Sequence, residues 1–400
     1  MLEDAQAPDA ERGDSGVLAD RAAMGPTEDS GTEQDAASVD SGVMNRVDAA
    51  RDGRVDPRPD ASSVDSGPSA DSGTGDGGAT APRGARVVRD GCTGTPGPLA
   101  GTTCRTLEIT CGGLEPLQVE LLIAQPPSSM AARGVILFGS GGAGTGLWSG
   151  PDAANGAMDR LRNAGFIVIE RRWLNDRNTG WFQSTAGLGV AAAACRHATL
   201  SRWIDSTYRS GTMAFCATGN SGGSAELAWS ITRQDTADVI DFAVPTSGPL
   251  HRADYGCATT PPAAWTTECA TLKDRYCASC ASRTCTLPNG VRSVIDSSYG
   301  MQTTCSGRTT PFDGDRMLAD SPAARTARLN LPHTRVAFLI GALDGGPYLP
   351  LAAGLYEAMR AAGTNTTFSV LPGVDHELQS FTDGARRIET EMLMNCVRRR

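Results

Sequence analysis

Lysine is almost missing from this chain of 400 residues: Lys273 is the only one, and arginine supplies the rest of the basic charge. No basic patch with interleaved aromatics occurs, so a nucleic-acid partner is not expected, and the arginine bias points to a GC-rich bacterial genome. Apolar runs are short. None reaches the ~18 residues that a membrane-spanning helix needs, which excludes a transmembrane segment of that kind. The start, Met1-Leu2-Glu3-Asp4, lacks the basic and apolar regions of a secretory signal. Residues 1–85 contain no Phe, Trp, Tyr or Cys. Without such side chains a segment cannot offset its ordering entropy, so a disordered acidic linker is expected there.

That first segment holds eighteen acidic and seven basic residues, and Asp-Ser-Gly recurs from Asp14, Asp29, Asp40, Asp65 and Asp71. The chain as a whole carries a net charge of −9, so the acidity belongs to the linker and residues 86–400 are close to neutral. All twelve cysteines lie from Cys92 onward. Such density points to disulfides and an oxidising compartment, hence a secreted, cell-surface or periplasmic protein whose signal is not in this sequence.

Cys216-Ala217-Thr218-Gly219-Asn220-Ser221-Gly222-Gly223-Ser224 runs from an apolar strand through Gly-x-Ser-x-Gly into small, helix-opening residues. A serine between glycines can occupy a sharp strand-to-helix turn, its hydroxyl raised above a sheet and the helix N-terminus beside it. A nucleophilic serine needs a base and an acid. Of the four histidines, His376 follows the strand-like run Thr367–Leu371 and the turn Pro372-Gly373-Val374-Asp375, and it is the expected base. His197 sits in an alanine-rich helical run and His333 ahead of a strand; His251 opens a cysteine-rich segment and is the remaining rival. Asp344, in the turn after Arg335–Ile340, is the expected acid, ahead of Asp241 inside a strand-like run and of Asp375, whose side chain diverges from that of its neighbour His376.

An oxyanion site would draw on Gly139-Ser140-Gly141-Gly142-Ala143-Gly144 after the strand Gly134–Phe138, with the N–H of Gly222 and that of Ser140 or Gly141 as donors. A phosphate cradle fits less well, because no Walker lysine follows. In the order oxyanion loop, Ser221, Asp344, His376, these pieces resemble the α/β-hydrolase superfamily of serine esterases and lipases over about residues 107–400. The chain departs from many members in having Phe138-Gly139 where they begin the loop with His-Gly. The resemblance implies an α/β fold, a mostly parallel sheet flanked by helices, and a cap in the position of residues 251–324.

Alternating strands and helices agree: strands at 107–110, 118–124, 166–170 and 239–244, helices at 155–164, 190–208, 226–233 and 381–397, and a helix marked by Leu351, Leu355 and Met359. Cys257, Cys269, Cys277, Cys280, Cys285 and Cys305 crowd the insertion, which has little periodicity; disulfides are expected over zinc, since a second ligand pair is absent. Trp148, Trp181 and Phe182, on loops after strands, are candidates for an apolar substrate site. The expectation is therefore a monomeric hydrolase of small-molecule or polymeric carboxylic esters, working through an acyl-enzyme on Ser221 without cofactor or metal. A peptidase, an acyltransferase with the same triad, and a non-catalytic binding protein of the same fold are the alternatives.

Overall fold

The computed structural model describes residues 83–92, 97–175, 178–258, 260–282, 284–300, 304–307 and 314–398. The linker expected over residues 1–85 lies outside them up to residue 82. In chain order the elements are β1 (Gly84–Asp90), β2 (Thr103–Thr110), β3 (Leu117–Ala124), β4 (Gly134–Gly139), α1 (Asp152–Asn163), β5 (Phe166–Leu174), α2 (Val190–Ala193) and α3 (Cys195–Tyr208). There follow β6 (Ala214–Asn220), α4 (Gly222–Arg233), β7 (Phe242–Thr246), α5 (Ala253–Cys257), α6 (Ala263–Cys277), α7 (Asn289–Asp296), α8 (Gly314–Asp320), β8 (Arg335–Gly341), α9 (Tyr348–Ala361), β9 (Thr366–Leu371) and α10 (Thr382–Asn395).

Nine strands form one sheet in the order β1-β2-β3-β5-β4-β6-β7-β8-β9. β1 to β3 are antiparallel, β3 meets β5 antiparallel, and every pair from β5 to β9 is parallel. This is the α/β-hydrolase fold. The central strands are apolar on both sides, as parallel strands between helical layers must be. Val135, Leu137, Phe215 and Ala217 enter one core, with α3, α4, α9 and the insertion. Ile136, Phe138, Ala214 and Cys216 enter the other, with α1 and α10.

Helix ends follow local chemistry. α1 buries Ala154, Ala157, Met158 and Leu161 on one stripe, and Gly165, at φ +94°, stops it. Three strands depart most from the sequence expectation. β1 was not anticipated: its residues GARVVRD show no alternation, Val87 and Val88 are exposed, and Arg86 pairs with Glu108 across the edge. β5 runs four residues past Glu170, burying Arg171 because that guanidinium has a buried carboxylate partner on α4. β7 starts at Phe242 rather than Val239, a short 3₁₀ turn occupying Thr236–Asp238.

The insertion is also more regular than its sequence suggests, with four helices, α5 to α8, among its described residues. Their apolar stripes are thin; α6 buries only Trp265, Cys269 and Leu272. Cross-links compensate. Cys257–Cys305, Cys269–Cys285 and Cys277–Cys280 pair within the insertion, while Cys92–Cys104, Cys111–Cys195 and Cys216–Cys396 tie the sheet domain. No cysteine is left free. No helix among the described residues is long and apolar enough to cross a membrane.

Candidate active site

Ser221 ends the strand-to-helix turn between β6 and α4 with φ +51° and ψ −114°. A non-glycine residue there stores about 1–3 kcal/mol of backbone strain, so the surroundings must hold it. They do so from three sides. The Ser221 N–H donates to the Thr246 carbonyl at 2.9 Å, and the Ser224 hydroxyl donates to the Ser221 carbonyl at 2.6 Å. Thr246 in turn donates to the Asn220 side chain at 2.9 Å. The flanking glycines are obligatory on steric grounds. A Cβ on Gly219 would lie 2.4 Å from the Gly223 carbonyl oxygen, and one on Gly222 only 1.7 Å from that of Gly142.

Two neighbouring strand ends carry the other polar groups. Asp344, in the turn after β8, is buried, and its Oδ2 lies 2.8 Å from His376 Nδ1. Its other oxygen accepts the Gly346 N–H at 3.0 Å. His376 follows β9 and is partly open, its side chain 29% exposed against 2% for Asp344. The two loops are joined along their backbones, with Leu343 N–H donating to the Val374 carbonyl at 2.9 Å. A Cβ on Gly341 would sit 2.5 Å from the Asp375 carbonyl oxygen, so this close approach also requires glycine.

The rival residues are engaged elsewhere. Asp375 accepts its neighbour's backbone N–H, not the imidazole. Asp241 is buried near the start of β6, accepting from Phe215 N–H at 3.0 Å and Arg209 at 3.1 Å. His197 is buried on α3 near Ser201, and desolvation, helped by the Arg171 charge, depresses its pKa to about 3. His251 packs between Tyr255 and Trp265 under the insertion, and burial, with the Arg252 charge second, likewise lowers it to about 3. His333 is exposed two residues ahead of β8.

The glycine loop after β4 reaches the serine. A Cβ on Gly141 would stand 3.4 Å from the Ser221 Cβ. Ser140 is buried, its hydroxyl donating to the Gly146 carbonyl at 2.7 Å. A brace lies underneath that sequence reasoning missed. Arg171 of β5 donates to the Gly144 carbonyl at 3.1 Å and pairs with Glu226 of α4. Glu226 also accepts the Trp173 indole N–H at 2.7 Å. Burial pushes the Glu226 carboxyl up to about 7 against the pull of the Arg171 charge. A buried carboxylate is tolerable only with such partners; here they fix the glycine loop to the helix that begins at the serine.

Beside Ser221 lies a cavity of about 150 Å³. Its floor is Gly142, Gly222, Ala225 and Trp229, one wall is Phe182 with Pro249 and Leu250, and the roof is Leu287, Val291, Val294 and Ile295. Tyr348 closes one side, its ring 4.3 Å from the His376 imidazole. Burial, with the Asp344 charge second, raises the Tyr348 phenol to about 12, so it stays protonated. Tyr348 was missed from sequence; its position four residues after Asp344 was the available signal.

The three aromatic candidates separate. Phe182 lines the cavity. Trp181 stands behind it, 3.8 Å away by ring centroids, and reaches Trp229 at 6.3 Å. Trp148 does not come to the site: it is fully buried against Phe138 in the core on the other face of the sheet, because its loop folds back over α1's side. Cys277, Cys280 and Cys285 are in disulfides, not on a metal. Among the described residues, no cluster of three or more His, Cys, Asp or Glu is arranged to hold a metal.

No protein-family profile and no curated protein matches the sequence. Solved structures do show a likeness. A bacterial heroin esterase is similar over 74% of this chain and 84% of its own, with 14% identity and a TM-score of 0.47. Brefeldin A esterase, a bacterial homologue of human hormone-sensitive lipase, is similar over 76% and 78%, with 15% identity and a TM-score of 0.46. Est1E from Butyrivibrio proteoclasticus is similar over 72% and 98%, with 11% identity and a TM-score of 0.41. The fold therefore rests on this chain's own strand order and directions.

Proposed function

We propose that the protein is a serine hydrolase of carboxylic esters, with Ser221 as nucleophile, His376 as general base and acid, and Asp344 as the residue that orients the imidazole. The observation that carries this reading is the Asp344–His376 pair at 2.8 Å on strand ends of the same sheet as a serine held at positive φ, with Tyr348 lining the cavity at Ser221 and standing 4.3 Å from the imidazole. With Nδ1–H donated to Asp344, Nε2 is the free basic nitrogen and takes the Ser221 proton as Oγ attacks the carbonyl carbon. The N–H groups of Gly222 and of Gly141 or Ser140 stabilise the oxyanion. Collapse breaks the bond to the alcohol oxygen, which receives the proton from His376. Water, deprotonated by the same imidazole, then releases the acid and restores Ser221. The proximity of Gly141 to the serine favours it as the second donor.

The insertion serves as a cap in this reading, since its residues roof the cavity at Ser221. A fluorophosphonate probe should label the wild type and leave Ser221→Ala unlabelled, and Ser221→Ala and His376→Ala should each lose at least ~10³-fold in kcat on p-nitrophenyl butyrate. Turnover near the wild-type level in a folded Ser221→Ala protein would sink the assignment.

A further inference from the structure

Resting on that reading, we propose that the cavity is an acyl pocket that selects uncharged acyl groups of about four to six carbons, or a single phenyl ring. Size comes first. An apolar cavity of about 150 Å³ holds roughly one benzene ring. Chemistry comes second. Among the lining side chains only Ser221 and Tyr348 have a free-standing polar function; the one other polar side-chain atom, the Trp229 indole nitrogen, donates its N–H to the Asp320 carbonyl at 2.6 Å. A carboxylate or ammonium entering there would lose its hydration without a charged partner.

The position assigns the pocket to the acyl side. Gly142 and Gly222, from the two segments that flank the serine, line it, whereas His376 does not. The alcohol oxygen must stay within reach of His376 to be protonated, so the group that remains on Ser221 is the one directed along the α4 face through Ala225 and Trp229. The roof has a fixed shape. Leu287, Val291, Val294 and Ile295 recur at helical spacing on and just before α7. The end of that helix is tied down where Asp296 accepts the backbone N–H groups of Cys305 at 2.5 Å and Ser306 at 3.0 Å. Cys305 is itself bonded to Cys257 on α5.

The test uses the full chain and two series of esters, one varying the acyl group on p-nitrophenol and one varying the alcohol of a butyrate. Along the acyl series kcat/KM should rise about fourfold per methylene from acetate, peak between butyrate and hexanoate, and fall at least tenfold by decanoate. Benzoate should lie near the peak and a monosuccinate at least tenfold below butyrate. The alcohol series should be nearly flat. Val294→Phe should lower the hexanoate-to-acetate ratio at least tenfold, and Val294→Ala should move the peak to longer chains. If Ser221 is labelled by a fluorophosphonate and acyl esters are turned over, but the acyl profile is flat or the preference follows the alcohol, the acyl pocket is wrong and the hydrolase reading stands. If neither labelling nor turnover occurs, both fall together.

Discussion

At the scale of single residues, Asp344 and Asp375 make the sharpest contrast. Both flank the imidazole in space or in sequence, yet only Asp344 meets its Nδ1, while Asp375 takes a backbone N–H. Asp344→Asn should therefore lower kcat on p-nitrophenyl butyrate by about 10³–10⁴-fold at pH 7, because an amide favours the wrong tautomer. Asp375→Asn should stay within about fivefold. Equal losses in the two folded variants would reassign the acid. Ser221, Asp344 and His376 were readable as candidates because each sits in short-range punctuation, a Gly-x-Ser-x-Gly turn or a turn after an apolar run. Arg171 and Glu226 were not readable, for their partnership joins residues 55 apart in sequence, across β5 and α4. Trp148 misled for a related reason: a loop sequence does not say over which face of the sheet it returns.

At the scale of elements, the central strands were legible because burial on both faces leaves them nearly all apolar. β1 was not, since an exposed edge strand imposes no pattern on its side chains. The helices of the insertion were hidden too: α6 has only three apolar residues on its buried stripe, and α7, at eight residues, is too short to stand out. Their order depends on cross-links, and this has an observable consequence for α7. The Cys257–Cys305 bond encloses it. Cys257→Ser with Cys305→Ser should alter the hexanoate-to-acetate ratio by at least threefold while far-UV circular dichroism stays nearly constant, because the sheet has its own core and three disulfides elsewhere. An unchanged ratio would show that packing alone shapes the roof, and loss of the dichroism signal would show that the insertion supports the sheet.

At the scale of the molecule, the alternation of strands and helices was enough to give the sheet and its helical layers, while the order of strands came only with the structure, because pairing across the sheet is set by contacts distant in sequence. One of those distant contacts is covalent. Cys216 in β6 is bonded to Cys396 just beyond α10, 180 positions later, and Ser221, Asp344 and His376 all lie between them. The proposed catalytic set thus belongs to a closed ring of chain. Cutting that ring once, at any point between the two cysteines, opens it without dividing the molecule. A single protease cut in the insertion should yield a species that runs as one piece on a non-reducing gel and as two after reduction, and that still carries a fluorophosphonate label on Ser221. Loss of the label on cutting would mean that an intact insertion is needed to hold the serine ready. On this assignment the ring would confer tolerance of cleavage on an assembly whose proposed active residues come from three separate strand ends.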